Sequence, residues 1–253
     1  DKGYATEMTV EEALKPHKKA YYNPIFFIHP HNKRTRLIWD LAAKINNKCL
    51  NDYLMAGPNL YNELLEILLK MRKGKYLIKS DIGEMFHQIR VNEDDTNCLR
   101  FLFRFSQTER IRIFKMLVLP FGAKSSPVIS QYVKNKIALK HQNNMPEAAE
   151  TILKDSYVDD IIKSTDSYET AVRLPIEIKR MLHNGGFELL KINCTYQRVI
   201  QDIKNGLTDV ELSHKKLFSH EETEKTLGYD VNFIKDEISV NINLSKFPIE
   251  ILN

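Results

Sequence analysis

The sequence predicts an α+β fold in which helices cover one face of an antiparallel sheet. Two observations at the centre of the chain carry this. A strand-favouring run, Tyr76 to Lys79, leads into Asp81, and the segment Tyr157-Val158-Asp159-Asp160 sits between strand formers on both sides, so a break at the acids gives a tight β-hairpin. The third observation is order: helix, helix, hairpin, helix and strand follow Asp81, without the regular alternation that builds a parallel sheet.

Each element has a local cause. Residues 7–15, EMTVEEALK, predict a short helix, and NPIFFIHP and TRLIWDLA predict two strands joined by the basic turn His31 to Arg34. Leu50 to Pro58 reads as loop. A helix is then predicted from Asn59 as N-cap, through Leu64, Leu65, Ile67, Leu68 and Met71, to Gly74 as the stop. After Asp81 the chain turns into a short helical segment. NEDDTN at 92–97 predicts a solvated loop, and CLRFLFRF and RIRIFKMLV predict a strand pair connected by Ser106 to Glu109. Gly122 permits a sharp turn, Ser126 can cap, and Pro127 suits the first turn of a helix reaching His141. PEAAETILK predicts a second helix. Asp166 with Glu169 makes an approximate capping box for a third, which contains Pro175 and ends at Asn184-Gly185-Gly186. FELLKIN predicts a returning strand, and TLGYDVNF with EISVNINL a final hairpin turning at Lys235 to Glu237.

Composition sets bounds. The chain has 253 residues, 43% hydrophobic and 28% charged, which suits a globular fold with a sizeable core. No apolar run is long enough to cross a bilayer, so no membrane partner is expected. The start lacks an initiator Met and a signal pattern, and an excised piece of a longer polypeptide is expected. Cys49, Cys98 and Cys194 are far apart and lack metal-ligand spacing, the pattern of reduced thiols in an intracellular protein. The net charge of +4 is modest. Its distribution says more: between His17 and Cys49 lie Lys18, Lys19, Lys33, Arg34, Arg36, Lys44 and Lys48 against Asp40, interleaved with Tyr21, Tyr22, Phe26, Phe27 and Trp39. That is either a solvated face or a surface for nucleic-acid phosphates.

The acids raise the chemical question. Adjacent carboxylates such as Asp159 and Asp160 either spread into solvent or are neutralised by a cation. Asp81 is either a helix N-cap or a third ligand. If the Asp81 strand lies beside the hairpin, three carboxylates converge, and oxygen-only ligands select Mg²⁺ or Mn²⁺. Two such ions are the usual apparatus for in-line displacement at phosphorus, which points to nucleotidyl transfer.

LIKSDIGEMFHQI, LPFGAKSSP, YVDD, GGFELLKIN and TLGYDV, in this order, resemble the successive motifs of reverse transcriptases. More narrowly, RLIWDLAAK, DIGEMFHQIRVNEDDTNCLRFLFR and YVDDIIKSTDSYETA are similar to the Bel/Pao class of long-terminal-repeat retrotransposons, and the similarity runs from about Tyr21 to Phe233. The resemblance implies the fingers and palm of a right-hand polymerase with the thumb absent or truncated. Fingers would comprise residues 17–75 and 92–118, and palm residues 76–91 and 119–253. It implies an RNA-directed DNA polymerase that joins deoxynucleotides to a primer on an RNA or DNA template with two Mg²⁺ ions, Mn²⁺ being a possible substitute. Protease, RNase H and integrase would accompany it in a longer polyprotein, in a cytoplasmic virus-like particle. The alternative is a degenerate or truncated, non-catalytic nucleic-acid-binding module.

Residue by residue, the resemblance makes Asp81, Asp159 and Asp160 the catalytic carboxylates, with the Ile82 carbonyl as a further metal ligand. Asp81 and Asp159 are expected to bridge the metals, with Asp160 contributing less directly because neighbouring residues on a turn diverge. Arg36 matches an arginine against the incoming phosphates, Phe86 an aromatic gate excluding the 2′-hydroxyl, and Phe121 a residue near the nucleotide's 3′ side. Lys191 matches a lysine that protonates the leaving pyrophosphate, and Leu227-Gly228 the turn that grips the primer. Without the resemblance, Arg36 and Lys191 would read as surface residues, and Phe86, Phe121 and His87 as packing. The chain departs from the family where tryptophan is expected, at Ile192-Asn193 and around Asp230-Val231.

Overall fold

A computed structural model describes residues 2–29, 36–213, 216–219 and 221–240, the side chain of Arg36 excepted. In chain order the elements are β1 (Ala5–Met8), α1 (Val10–Leu14), β2 (Ile25–Ile28), β3 (Arg36–Trp39), α2 (Leu50–Tyr53), α3 (Leu64–Lys70), β4 (Tyr76–Ile82), β5 (Arg100–Phe103), β6 (Arg112–Met116) and α4 (Ser126–His141). There follow α5 (Pro146–Lys154), β7 (Ser156–Tyr157), β8 (Asp160–Thr165), α6 (Tyr168–Asn184), β9 (Leu189–Cys194), α7 (Gln197–Asn205), α8 (Asp209–Leu212), β10 (Thr223–Thr226), β11 (Tyr229–Asn232) and β12 (Glu237–Ser239). Single 3₁₀ turns lie at Met85–Gln88 and Asp94–Leu99. The chain packs as two units, Asp1–Tyr61 with Glu84–Lys134, and Asn62–Gly83 with Asn135–Asn253. These divisions do not coincide with the fingers and palm boundaries expected above.

In the first unit β1, β6 and β5 form an antiparallel sheet in that order, and β2 pairs with β3. Trp39, Leu41, Leu50, Phe101, Met116 and Val118 fill its core, each fully buried side chain of this size contributing about 1.5–3 kcal/mol. Gly122 follows the LPF run with φ +104°, and a Cβ there would lie 2.3 Å from the Trp39 carbonyl oxygen. Ser126 does not cap α4 through its side chain. Its buried hydroxyl donates to the Pro120 carbonyl at 2.9 Å and ties the LPFG turn to the start of the helix.

The second unit is built on a four-stranded antiparallel sheet in the order β7-β8-β4-β9. Alternation along β4 puts Tyr76, Ile78, Ser80 and Ile82 on one face and Leu77, Lys79 and Asp81 on the other. The amphipathic helix α6 packs on β4, β8 and β9, and its Tyr168 meets the Tyr76 ring edge-on at 5.8 Å. On the opposite side Leu77 and Ile162 join Ile67 and Met71 of the α3 segment and Val231 and Phe233 of the β10-β11-β12 sheet in a second core. The sheet therefore carries α6 on one face, as a helix-covered sheet was expected to, and the α3 segment with a further small sheet on the other.

Several local expectations are corrected. Ala5–Met8 is a strand rather than helix because β6 offers it a full antiparallel partner, Ala5 opposite Met116 and Met8 opposite Ile113. The helix itself starts at Thr9, whose hydroxyl and Glu12 form a reciprocal capping box. Residues 50–53 are a turn of helix, not loop. Asn59 accepts from the Tyr61 amide in a local Asx turn, and α3 begins only after Glu63. NEDDTN is not a free loop: Thr96 is buried within a 3₁₀ turn, and Lys19 pairs with both Asp94 and Asp95. Ser167, not Asp166, caps α6 by accepting from the Thr170 amide, while Asp166 accepts from Lys75. Pro175 lies inside α6, and α7 and α8 were not foreseen. The basic turn His31 to Arg34, and the last residues of the strand EISVNINL, lie outside the described residues.

Candidate active site

The site begins with a two-residue hairpin. Tyr157 of β7 pairs with Asp160 of β8, which leaves Val158 and Asp159 as the loop. Val158 has φ +54°, a conformation that costs a β-branched residue of order 1–3 kcal/mol and is held only by surrounding contacts. Three hydrogen bonds brace the chain on either side of it: the Ile82 amide donates to the Asp159 carbonyl at 2.8 Å, and the Asn62 amide group donates to the Leu153 and Ser156 carbonyls at 2.9 Å each. The chain thus turns one residue earlier than a break at the acid pair would give, and Asp160 is a strand residue.

Register brings the acids together. Asp81 lies within β4, not beyond its end, and its direct partner on β8 is Asp160, so the two carboxylates leave the same face. Burial raises the Asp159 pKa and the Asp81 charge adds to this, with Lys191 and Lys79 opposing. Burial likewise pushes Asp160 up to about 6; Lys79 opposes, while Asp159 and Asp81 add. Asp159 and Asp160 are thus carboxylates whose ionisation is resisted by burial, and with Asp81 beside them they make an oxygen-donor set that a divalent cation would neutralise. Among the described residues no three His, Cys, Asp or Glu side chains are arranged as a ready metal-binding group.

Two lysines stand against the acids instead. Lys191 Nζ is 3.2 Å from Asp81 Oδ2; burial lowers its pKa, but the charge and hydrogen bond of Asp81 outweigh this and leave it raised. Lys191 has φ +53° at the irregularity where β9 shifts register on β4, and its amide donates to the Lys216 carbonyl at 2.8 Å. Lys79 lies 3.8 Å from Asp160 Oδ1 and 3.0 Å from Glu224 Oε2 on β10. Lys79 and Glu224 were missed in the sequence. The signal was there in part: a lysine in a strand directly after the apolar run Tyr76-Leu77-Ile78 has no reason to be buried without an acid partner.

Leu227 and Gly228 form the loop between β10 and β11, closed by the Thr226–Tyr229 pair. Both have positive φ, +52° and +91°, the signature of a type I′ hairpin turn. Leu227 also packs on the core around Ile67 and Val231. Ile82 is fully buried at the end of β4.

The remaining predicted residues belong to the first unit. Phe86 is half-buried in its 3₁₀ turn, with its ring centroid 5.1 Å from that of Phe121, which is 42% exposed. His87 packs against Tyr4, Trp39 and Phe121, as a packing histidine should, and burial lowers its pKa. Arg36 opens β3 opposite Ile28, and its side chain lies outside what is described.

A sequence profile for "Reverse transcriptase (RNA-dependent DNA polymerase)" matches residues 5–231. The chain belongs to the reverse transcriptase family. Among curated relatives, the Transposon Tf2-3 polyprotein of Schizosaccharomyces pombe is 25% identical over 177 residues, 69% of this chain and 12% of that polyprotein. The retrovirus-related Pol polyprotein from transposon opus of Drosophila melanogaster is 25% identical over 164 residues, 65% of this chain and 15% of the polyprotein. The chain therefore spans a small fraction of the relatives it matches. Among solved structures, the foamy viral protease-reverse transcriptase in complex with dsDNA aligns with a TM-score of 0.57 at 17% identity, over 99% of this chain and 40% of that one. The same protein in complex with RNA/DNA hybrid gives 0.57 at 16% identity, over 99% and 26%. The α+β polymerase fold read from the sequence is the fold of these reverse transcriptases.

Proposed function

We propose that this chain is the fingers and palm of an RNA-directed DNA polymerase from a retrotransposon polyprotein of the Bel/Pao class, and that it extends a primer 3′-hydroxyl by attack on the α-phosphate of a deoxynucleotide. The observation that carries the reading is the convergence of Asp81, Asp159 and Asp160, the latter two with raised pKa values, in a chain of this family. Asp81 and Asp159 would hold two Mg²⁺ ions, or Mn²⁺, with the Ile82 carbonyl as a further ligand. Bound there, the ions would supply Lewis-acid activation of the attacking hydroxyl and charge neutralisation on the leaving pyrophosphate.

The chain's own residues take the other roles. Asp160, drawn to Lys79, contributes less directly. Lys191 is a cation beside Asp81, and a raised pKa keeps it protonated, as donation to a leaving pyrophosphate requires. Arg36 would meet the triphosphate, Phe121 the nucleotide's 3′ side, and Leu227-Gly228 the primer. Residues 17–75 and 92–118 would serve as fingers, and 76–91 and 119–253 as palm. RNA or DNA template would be held chiefly through phosphates and so without sequence preference. By the same likeness the chain would act in a cytoplasmic particle, beside protease, RNase H and integrase.

The test is primer extension on a ribonucleotide template with Mg²⁺ or Mn²⁺, comparing the unsubstituted chain, supplied with its downstream thumb, with Asp159→Asn. Extension that disappears in the variant supports the reading; extension that survives overturns the assignment of Asp159. Template binding without extension in the unsubstituted chain would favour a non-catalytic nucleic-acid-binding module. Phe86→Val is expected to raise ribonucleotide incorporation relative to deoxynucleotide by roughly one to two orders of magnitude, because a flat ring that excludes a 2′-hydroxyl acts by sterics alone. Single-nucleotide kinetics with paired substrates measure that ratio.

A further inference from the structure

Lys79 is 5% exposed in the middle of β4, directly after the apolar run Tyr76-Leu77-Ile78, and an isolated ammonium there would be strongly penalised by desolvation. Its neighbours show how it is retained. Glu224 of β10, 4% exposed, meets it at 3.0 Å, and the Lys225 carbonyl accepts from it at 3.5 Å. The other oxygen of Glu224 accepts from the amide of Asn193 at 2.8 Å; Asn193, 3% exposed, also donates to the Glu221 carbonyl at 3.2 Å. Hydrogen bonds from Ser219, Asn193 and Lys79 keep the Glu224 pKa low although burial alone would raise it. Lys79 is then shared with Asp160 at 3.8 Å.

The chain positions of these groups give the network its meaning. Lys79 lies two residues before Asp81 on β4, Asn193 two residues after Lys191 on β9, and Glu224 three residues before Leu227 on β10. No backbone ladder joins β10 to the four-stranded sheet. Besides the apolar core under the β10-β11-β12 sheet, the backbone bonds of residues 216–219 to β9 and the Arg72–Asp236 pair, this buried polar cluster ties the hairpin to the acid-bearing strands.

We propose that Lys79 is a positioning residue: shared between Glu224 and Asp160, it locks the Leu227-Gly228 hairpin to the acid-bearing sheet and fixes where the Asp160 carboxylate lies. The hairpin half of this stands on the geometry alone. The acid half rests on the polymerase reading. One cation between two carboxylates leaves a net negative charge, and Glu224 takes the closer contact, so Asp160 is held without being fully neutralised.

The test compares the full 253-residue chain with Lys79→Met, which keeps an unbranched side chain, shorter by its terminal atom, and removes the charge. Amide hydrogen exchange over residues 223–229 is expected to accelerate roughly tenfold or more while the α6 amides keep their rates. Mn²⁺, followed by its paramagnetic resonance signal, is expected to bind about three- to tenfold more tightly, because a competing positive charge has gone, while primer extension falls. A merely structural lysine would not split metal binding from turnover in this way. A folded Lys79→Met chain with hairpin exchange at the unsubstituted rate, or with unchanged Mn²⁺ affinity, overturns the proposal. If Lys79→Met does not fold, the neutral pair Lys79→Gln with Glu224→Gln carries the exchange measurement, and unchanged hairpin protection overturns the locking role. Failure of the unsubstituted chain, supplied with its downstream thumb, to extend primers would sink the polymerase reading and leave the exchange result to stand or fall separately.

Discussion

Replacing Asp81 with asparagine is expected to lower primer extension by about 10³-fold or more, a rise of roughly 4 kcal/mol in the barrier. Asp160→Asn is expected to lower it only about ten- to a hundredfold, or roughly 1.4–3 kcal/mol. The asymmetry comes from what each carboxylate already touches. Asp160 shares Lys79 with Glu224, so its neutralisation leaves Lys79 in its 3.0 Å pair with Glu224 and the buried network closed. Asp81 has no such substitute: it faces Lys191 and contributes repulsion to both Asp159 and Asp160. Its removal takes away a metal-ligand candidate, while the pKa values of its neighbours stay raised chiefly by burial, and it relieves like-charge repulsion. Thermal unfolding of Asp81→Asn should therefore remain close to that of the unsubstituted chain while extension collapses. Single-turnover rates with the two variants side by side measure the ratio, and equal losses would remove the distinction between the two acids.

The second large effect concerns stability. Gly122→Val is expected to destabilise the first unit by about 3 kcal/mol or more, since a positive-φ backbone strains any β-branched residue by roughly 1–3 kcal/mol before sterics are counted. The steric part is worse, because the new Cβ would lie 2.3 Å from the Trp39 carbonyl oxygen, a backbone atom that cannot rotate away. Trp39 is buried in the core of that unit with Leu41 and Phe101, so the displacement would spread. Chemical denaturation with the tryptophan fluorescence as probe reads it directly, Trp39 being the single tryptophan in the chain.

What the sequence made legible was whatever has a local cause. Proline at the start of α5, the sharp turn at Gly122 and the acid hairpin were readable because each depends on residues within a few positions. β1 was not, since four residues of which only Met8 is buried become a strand only through a partner more than a hundred positions away. The caps at Glu63 and Ser167 were misplaced for another reason: Asn59 and Asp166 are good caps in isolation, but both spend their side chains on other amides. At the site, the ordered motifs pointed to the three acids and to the Leu227-Gly228 turn proposed as the primer grip. They were silent on Lys79, whose importance follows from a pairing with Glu224 that only the folded chain creates.

Val158 adds a constraint on how this protein can change. A β-branched residue at φ +54° is the least comfortable choice for that position, and glycine or asparagine would relax it. Selection for heat resistance alone would drift toward those residues and loosen the carboxylate that follows. Valine there gives up folding free energy in the turn that carries Asp159, a trade that suits the catalytic role proposed for that carboxylate.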